Sequence, residues 1–434
     1  MPSSVLRLVL LISCAHALVH MYELSLPGVE QQIASEYFAD DVQRGKEVSG
    51  MLSMTWRLPW GIGALFAGLM VDRFGAKRLL LVYLYGVSGV CFIVGFTHSL
   101  SLLFVTMFSM GLLASIYHPA GLTWISHRTN ESQRPFALGL HGILGSLGIS
   151  SGPLLAAAIT GWGFTWREFY WWLAVPGIVL ATTLAIYRDK HTDQDSAEDS
   201  AEDSPESNPA DVTERNNERE ARIADQEAES TGDGDAREVL VHPDEQADWK
   251  AFSVLTLVAV CQGIIYSGVL SFLPRYLTGW EDPSDEFSNS GYLATVVLAM
   301  GCIGQYTAGY FARPKKLERQ LSWIALANAP LLICMAFAAN DTQRMMAAGA
   351  FSIVHFMHQP IYNSLIANYS PRSRRSFAYG ISIAMGLGIG SCGAGFVGFV
   401  HRQFTAFASL ALVAVVGALI AHQLARIRET RQNA

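Results

Sequence analysis

A small set of polar residues interrupts otherwise apolar stretches of this chain, and their spacing allows chemistry. Ser13, His16, His20 and Glu23 are separated by 3, 4 and 3 residues. On a helix this places all four on one face. His355, His358, Gln359, Tyr362 and Asn363 form a second stripe, Gln262 and Tyr266 a smaller third. His118 stands in Tyr117-His118-Pro119-Ala120-Gly121. Arg57 is the one basic residue placed deep inside an apolar stretch. A charge at the centre of a bilayer costs ~2.5–3.5 kcal/mol on insertion scales, so such groups face a cavity or one another. Carboxylate, guanidinium and imidazoles together suit proton exchange and the binding of an anionic solute. Structural hydrogen bonds between helices are the plainer reading of any single histidine. The spacings His16–His20 and His355–His358 also suit metal ligation. Without thiols or several carboxylates they point to no metal site.

These residues require membrane-crossing elements to hold them. The chain has 434 residues, 51% hydrophobic and 15% charged. That charge fraction is well under the ~25% of soluble domains. It disfavours a soluble enzyme and excludes a disordered chain. The net charge of −7 hides an asymmetry. Residues 189–248 carry 21 acids and 5 bases, a net of −16, and the rest of the chain carries +9. The bases lie in short loops between apolar runs, so no nucleic-acid partner is implied. The six cysteines all lie in apolar segments without a CxxC pair, which argues against a disulfide framework. Arg7, the run 8–15 and Ala15-His16-Ala17 imitate a cleaved signal peptide. The apolar pattern continues to Val29, so this segment is read as a retained first span.

Apolar stretches long enough to cross a bilayer fall near 5–33, 47–71, 79–97, 101–126, 135–160, 168–187, 250–277, 289–312, 320–339, 343–368, 376–400 and 404–425. Twelve spans leave both termini on one side. One set of loops holds Arg73, Lys77, Arg78, Arg128, Arg134, Arg313, Lys315, Lys316, Arg319, Arg372, Arg374 and Arg375. The alternate loops carry few bases, so the basic set, both termini and residues 189–248 are expected on the cytoplasmic side. The 189–248 segment is too poor in large apolar residues to offset its chain entropy and is expected to be a disordered tether, with a weak helix conceivable over 214–229.

The flanking parts, 1–188 and 249–434, repeat. A constant shift of 241 aligns Gly50 with Gly291, Gly63 with Gly304, Pro119 with Pro360, Arg134 with Arg375, Gly139 with Gly380 and Gly152 with Gly393. The fold expected is an all-α membrane protein of two parallel six-helix repeats, the plan of secondary transporters that rock about a midplane site. There is no GxxxxGK[ST] phosphate loop, HExxH or GxSxG, so ATP-driven transport and hydrolysis lack support. The expectation is a transporter, not an enzyme, without a cofactor.

After the second span comes Gly68-Leu69-Met70-Val71-Asp72-Arg73-Phe74-Gly75-Ala76-Lys77-Arg78. This closely resembles the loop 2–3 signature of the major facilitator superfamily, GxxxDRxGxKR. The resemblance implies a cytoplasmic gate of Gly68, Asp72, Arg73, Gly75, Lys77 and Arg78. In it Gly68 permits close helix approach, and Asp72 docks at the positive N-terminal end of span 11, residues 371–377. Arg313 replaces the Asp at the shifted position, so the second gate is degenerate. Gly145–Pro153, with Gly148, Gly152 and Pro153, resembles the family's GxxxGP motif, associated with exporters of the antiporter type, although Ala156-Ala157 replaces the usual glycine pair. The His-Pro of span 4 resembles the fosmidomycin-resistance-type branch, whose first-span His is followed by an acid. Here the spacing differs.

The resemblance also implies that spans 1, 4, 7 and 10 line a cavity, where the polar stripes lie. Arg57 lies about nine residues, or ~14 Å along a helix, from the outer end of its span. Glu23 lies at similar depth, so the two are expected to pair. The function expected is proton-coupled efflux of a small solute by a monomer in the cytoplasmic membrane. Uptake by symport is the alternative, and a transporter-like sensor a more distant one.

Overall fold

The structure, a computed structural model, describes residues 1–130, 133–187, 248–280, 287–313, 316–371 and 375–432. The acidic segment 189–247 lies outside the described residues, and so does the weak helix expected over 214–229. Residues 1–184 pack with the described residues from 248 onward as one compact unit.

Among the described residues the architecture is all helical. The elements are α1 (Ser3–Glu23), α2 (Ser25–Tyr37), α3 (Val42–Phe74), α4 (Ala76–Val94), α5 (Leu100–Ala114), α6 (Tyr117–Arg128), α7 (Arg134–Gly161) and α8 (Trp166–Ile186). After the acidic segment come α9 (Trp249–Ser271), α10 (Leu273–Thr278), α11 (Phe287–Phe311), α12 (Leu317–Phe337), α13 (Asp341–Phe356), α14 (His358–Tyr369), α15 (Arg375–Ile383), α16 (Cys392–Phe399) and α17 (Gln403–Gln432). A π segment, Ala384–Gly388, and a 3₁₀ turn, Ile389–Ser391, join α15 to α16. Among the described residues, ten helical stretches are long and apolar enough to cross a membrane. The two remaining expected stretches are helical too, in α3 and in α13–α14. Their polar residues, Arg57 in one and His355, His358, Gln359 and Asn363 in the other, lower their apolarity.

Four of the helix breaks fall just before a proline. A proline lacks an N–H, and its ring clashes with the carbonyl four residues earlier, so the helix opens just before it. α1 ends at Leu24, three residues before Pro27; α5 ends at Ser115–Ile116, before Pro119. α9 ends at Phe272, before Pro274, and α13 at Met357, before Pro360. Each break falls beside a polar stripe: Glu23, His118, Ser271 and His358 stand next to one.

Packing follows the small residues. α1 lies along α7, α9 and α12 along α17, and α3 along both α5 and α16. α3 and α7, from before the acidic segment, also pack on α16 and α11, from after it. A Cβ on Gly148 would meet the Ala17 carbonyl oxygen at 2.2 Å, so this glycine sets how closely α7 approaches α1. Gly75 adopts φ +82° and turns α3 sharply into α4. The large apolar core of the later helices runs from Ile265 through Phe272 and Trp280 to Phe407 and Leu410. All six cysteines are free.

Candidate functional site: a buried carboxylate, guanidinium and imidazole cluster

The expected pair forms. Arg57 on α3 donates from Nε to Glu23 Oε1 at 3.1 Å, with both side chains essentially inaccessible. Glu23 is the last residue of α1, at the break that precedes Pro27. His20, one turn earlier, places Nδ1 2.8 Å from Glu23 Oε2. Tyr266 on α9 donates its hydroxyl to the same oxygen at 3.3 Å. Arg57 donates from Nη1 to Ser271 Oγ at 2.5 Å, and its guanidinium lies 5.8 Å from the Tyr266 ring centre. A pair built on α1 and α3 is therefore tied to α9. Arg57 Nη2 is buried without a hydrogen-bond partner among the described residues. Removing one member of such a pair leaves the other charge buried, which typically costs ~3–5 kcal/mol.

Imidazoles surround the pair. Ring centres lie 4.9 Å apart for His16 and His20, 5.3 Å for His16 and His118, and 5.8 Å for His20 and His118. Trp60, one turn along α3 from Trp56 and Arg57, packs on His20 and His118. His141 on α7, which sequence reasoning missed, stacks on His16 at 3.9 Å between ring centres. Its backbone carbonyl accepts from His16 Nδ1 at 2.8 Å, and its Nδ1 lies 3.3 Å from the Tyr117 hydroxyl, which itself donates to the Ile12 carbonyl. The available signal was a histidine inside the apolar fifth span, the same sign that singled out His118. Gly145 leaves room for the His16 ring, since a Cβ there would lie 2.3 Å from His16 Cε1. The small-residue motif of α7 thus shapes this cluster by packing on α1. Gly152 does the same one turn on, close to Met21 O and Leu24, and Pro153 approaches Gly28.

The later stripe is organised differently. His355 is buried, lies 3.3 Å from Asn328 Oδ1 through Nδ1, and stacks on Phe351 and Tyr266. His358 donates from Nδ1 to the His355 carbonyl at 2.6 Å. Gln359 accepts from Gln305 Nε2 at 2.7 Å, and Gln305 in turn accepts from Ser146 on α7, another link between early and late helices. Asn363 is exposed, and its backbone carbonyl accepts from the Tyr379 hydroxyl. Gln262 is buried beside Gly417 of α17, its amide without a partner among the described residues. It therefore sits in the packing of the late helices, one turn away from Tyr266.

A second buried pair was not foreseen. Arg275 on α10 meets Glu30 on α2 in a two-pronged contact, Nε to Oε1 at 2.9 Å and Nη2 to Oε2 at 3.1 Å. Nearby, Lys46 Nζ donates to the Val400 and His401 carbonyls at 2.7 and 3.2 Å, and Gln43 donates to Gly398 and Phe399. Early and late helices are thus fastened together at the end away from the two termini.

The gate motif lies at the turn between α3 and α4. A Cβ on Gly68 would meet nothing within 4 Å, so the close helix approach expected there is absent among the described residues, and the approach occurs instead at Gly61, against Gly388. Arg73 is exposed over the Phe74 ring, and Arg78 is also exposed. Lys77 is half-buried. The Asp72 side chain and the side chains of 372–376, its expected docking partner, lie outside the described residues.

Comparison with known proteins agrees with this architecture. A bacterial homologue of the human lysosomal transporter Spinster, in an inward-facing and occupied conformation, is similar with a TM-score of 0.70 at 13% identity, over 98% of each chain. The E. coli xylose transporter XylE, in an inward-open conformation, is similar with a TM-score of 0.69 at 13% identity, over 97% of this chain and 96% of that one. At such identities the likeness shows the fold alone. "Putative transporter YoaB" of Bacillus subtilis (strain 168) is 28% identical over 153 residues. That match spans 33% of this chain and 37% of the relative. The fosmidomycin-resistance-type branch is not singled out by these likenesses. The Major Facilitator Superfamily model matches residues 32–395. With most of its length matched and a helical membrane architecture throughout, the chain is not an enzyme but belongs to the Major Facilitator Superfamily of membrane transporters.

Proposed function

We propose that this protein is a secondary transporter that exports a small organic solute in exchange for protons. Its ten apolar helical stretches, with α3 and the α13–α14 stretch, are read as twelve spans in two halves, 1–188 and 249–434. The acidic 189–248 segment joins them on the cytoplasmic side together with both termini. The protein acts as a monomer in the cytoplasmic membrane, its partners the lipid bilayer, the solute and protons.

One observation carries this reading. The buried Glu23–Arg57 pair of the first half is held by Tyr266 and Ser271 of the second. If the halves rock, these links must break, and the charges must find other partners. A proton on Glu23, or an anionic group of the solute on Arg57, supplies such a partner. Proton and solute then compete for one pair, the requirement of exchange. Breaking the link changes the balance between conformations, which is how differential affinity becomes coupling. Export is supported by the GxxxGP-like motif of α7, although its glycines also have a packing role.

Flux in sealed vesicles tests the proposal. A pH gradient of one sign should drive solute out of the compartment that corresponds to the cytoplasm. Gradient-driven movement of solute and protons together would replace exchange by symport. A protein that binds solute yet never moves it would be a sensor.

A further inference from the structure

We infer that His16, His20 and His118 form a binding site for one divalent transition-metal ion of borderline softness, of the Zn²⁺ class. On sequence alone the His16–His20 pair argued for no metal. The third histidine comes from the far side of the α5–α6 break, and folding brings it in. One ligand nitrogen from each of the three lies within 4.8 Å of the other two. Tetrahedral coordination with Zn–N distances near 2.0–2.1 Å places ligand nitrogens roughly 3.3 Å apart. Closing the difference takes on the order of 1.5 Å, within reach of the imidazole torsions.

The surroundings are those of a metal site rather than of three unrelated rings. His16 donates its Nδ1–H to the His141 carbonyl oxygen, and the neutral ring then keeps its lone pair on Nε2. His20 directs Nδ1 at the Glu23 carboxylate, which also leaves Nε2 free. A carbonyl or carboxylate on the remote nitrogen is the usual outer support of a ligating histidine; it fixes the tautomer and orients the ring. His118 makes no hydrogen bond among the described residues and completes the set. His16 and His20 are largely buried, and the aromatic Trp60 and Tyr117 rings wall the cluster. Three imidazoles without a thiol suit Zn²⁺, Co²⁺, Ni²⁺ or Cu²⁺ rather than Mg²⁺ or Ca²⁺, which prefer oxygen. Three protein ligands leave a fourth position open to a solute or water.

The site goes beyond the transport reading and is testable apart from it. Full-length protein, freed of any histidine tag and purified in detergent, would be titrated with Zn²⁺ by calorimetry and with Co²⁺ by visible absorption. One ion per chain is expected, with a tetrahedral-type Co²⁺ spectrum. His118→Asn should weaken Zn²⁺ binding at least ~100-fold while the variant melts at an unchanged temperature in chelator. Glu23→Gln, which keeps all three ligands, should weaken it ~10–100-fold as loss of outer support does. The joint variant His355→Asn with His358→Asn should bind as the wild type does. Wild-type binding no tighter than that of a folded His16→Asn, His20→Asn, His118→Asn triple variant would overturn the assignment. Loss of binding in the His355, His358 variant alone would do the same.

Discussion

Two buried carboxylate–guanidinium pairs stand seven residues apart along the first helical stretch, and they are built differently. Glu30 and Arg275 meet through two parallel contacts, one arm from an early helix and the other from a late one. Among the described residues neither Glu30 carboxylate oxygen has another partner. Glu23 and Arg57 meet through one contact. The remaining bonding of Glu23 goes to His20 and Tyr266, and that of Arg57 to Ser271. A two-pronged pair is geometrically specific, which suits a fastening, although Arg275 Nη1, like Arg57 Nη2, is buried without a partner among the described residues. A single-pronged pair with other hydrogen-bonding neighbours has alternatives at hand, which suits a group that changes partners. Under the proposed exchange mechanism, the same two residue types would serve closure at one level and exchange at the other.

Removing one arm of either pair should have the largest effect. Arg275→Ala leaves Glu30 buried and uncompensated, at a cost of ~3–5 kcal/mol to the closed arrangement. A cysteine placed beside Val400 should then become strongly accessible to a membrane-impermeant thiol reagent. The exchange Glu30→Arg with Arg275→Glu should recover much of the protection. If the swap recovers nothing while the protein stays folded, the contact is not a fastening. Arg57→Ala should incur a similar penalty around Glu23, and here the readout is lost transport together with a lower melting temperature. The comparison sharpens if Arg275→Lys keeps closure poorly, because an ammonium cannot make the two-pronged contact.

An intermediate effect is expected at Gly61. Its added Cβ would lie 2.2 Å from Gly388 N, and both partners are backbone, so Gly61→Ala must push α3 from the π segment. About 1–3 kcal/mol is the usual scale of such overpacking. A reduced melting temperature with solute binding retained is the expected outcome; an unchanged melt would show that the π segment yields freely.

Smaller still is the gate. A helix-terminus interaction contributes about 0.3–1 kcal/mol, rising to ~2 kcal/mol when partly buried. Asp72→Asn should therefore shift the conformational equilibrium toward opening at the basic end by about two- to fivefold, or up to roughly 30-fold if the contact is partly buried. Cysteine labelling from that side should rise, and unchanged labelling with unchanged transport would remove Asp72 from the gate. The smallest effect belongs to the acidic segment. Replacing 192–246 with a flexible linker long enough to join the halves should leave flux near wild type. Loss of flux at normal expression would turn this spacer into a regulator.

Much of the helical architecture was legible because bilayer physics leaves few solutions: apolar length alone locates the long helices. Pro27, Pro119, Pro274 and Pro360 were equally visible, and each follows a break beside a polar residue, whereas Pro59, Pro153, Pro176 and Pro330 sit inside unbroken helices. Glu23 and Arg57 were paired by depth alone, a one-dimensional argument that held because their spans are neighbours. Glu30 and Arg275 escaped it, since they are 245 residues apart and their contact depends on how early and late helices meet. Arg275 also sits just past a break, where it reads as a loop residue. His141 was overlooked because one histidine in a small-residue run resembles packing. Gly68 shows the opposite error. The motif suggested close approach, but among the described residues nothing lies within 4 Å of a Cβ placed there, and close approaches occur at Gly61 and Gly148.

The central claim is that Glu23 couples the proton gradient to solute movement. Glu23→Gln, reconstituted in sealed vesicles, tests it most directly when net gradient-driven flux and solute-for-solute exchange are measured on the same preparation. The account predicts that gradient-driven flux disappears while solute binding and exchange remain. Uphill transport by Glu23→Gln with the pH dependence of the wild type would contradict it.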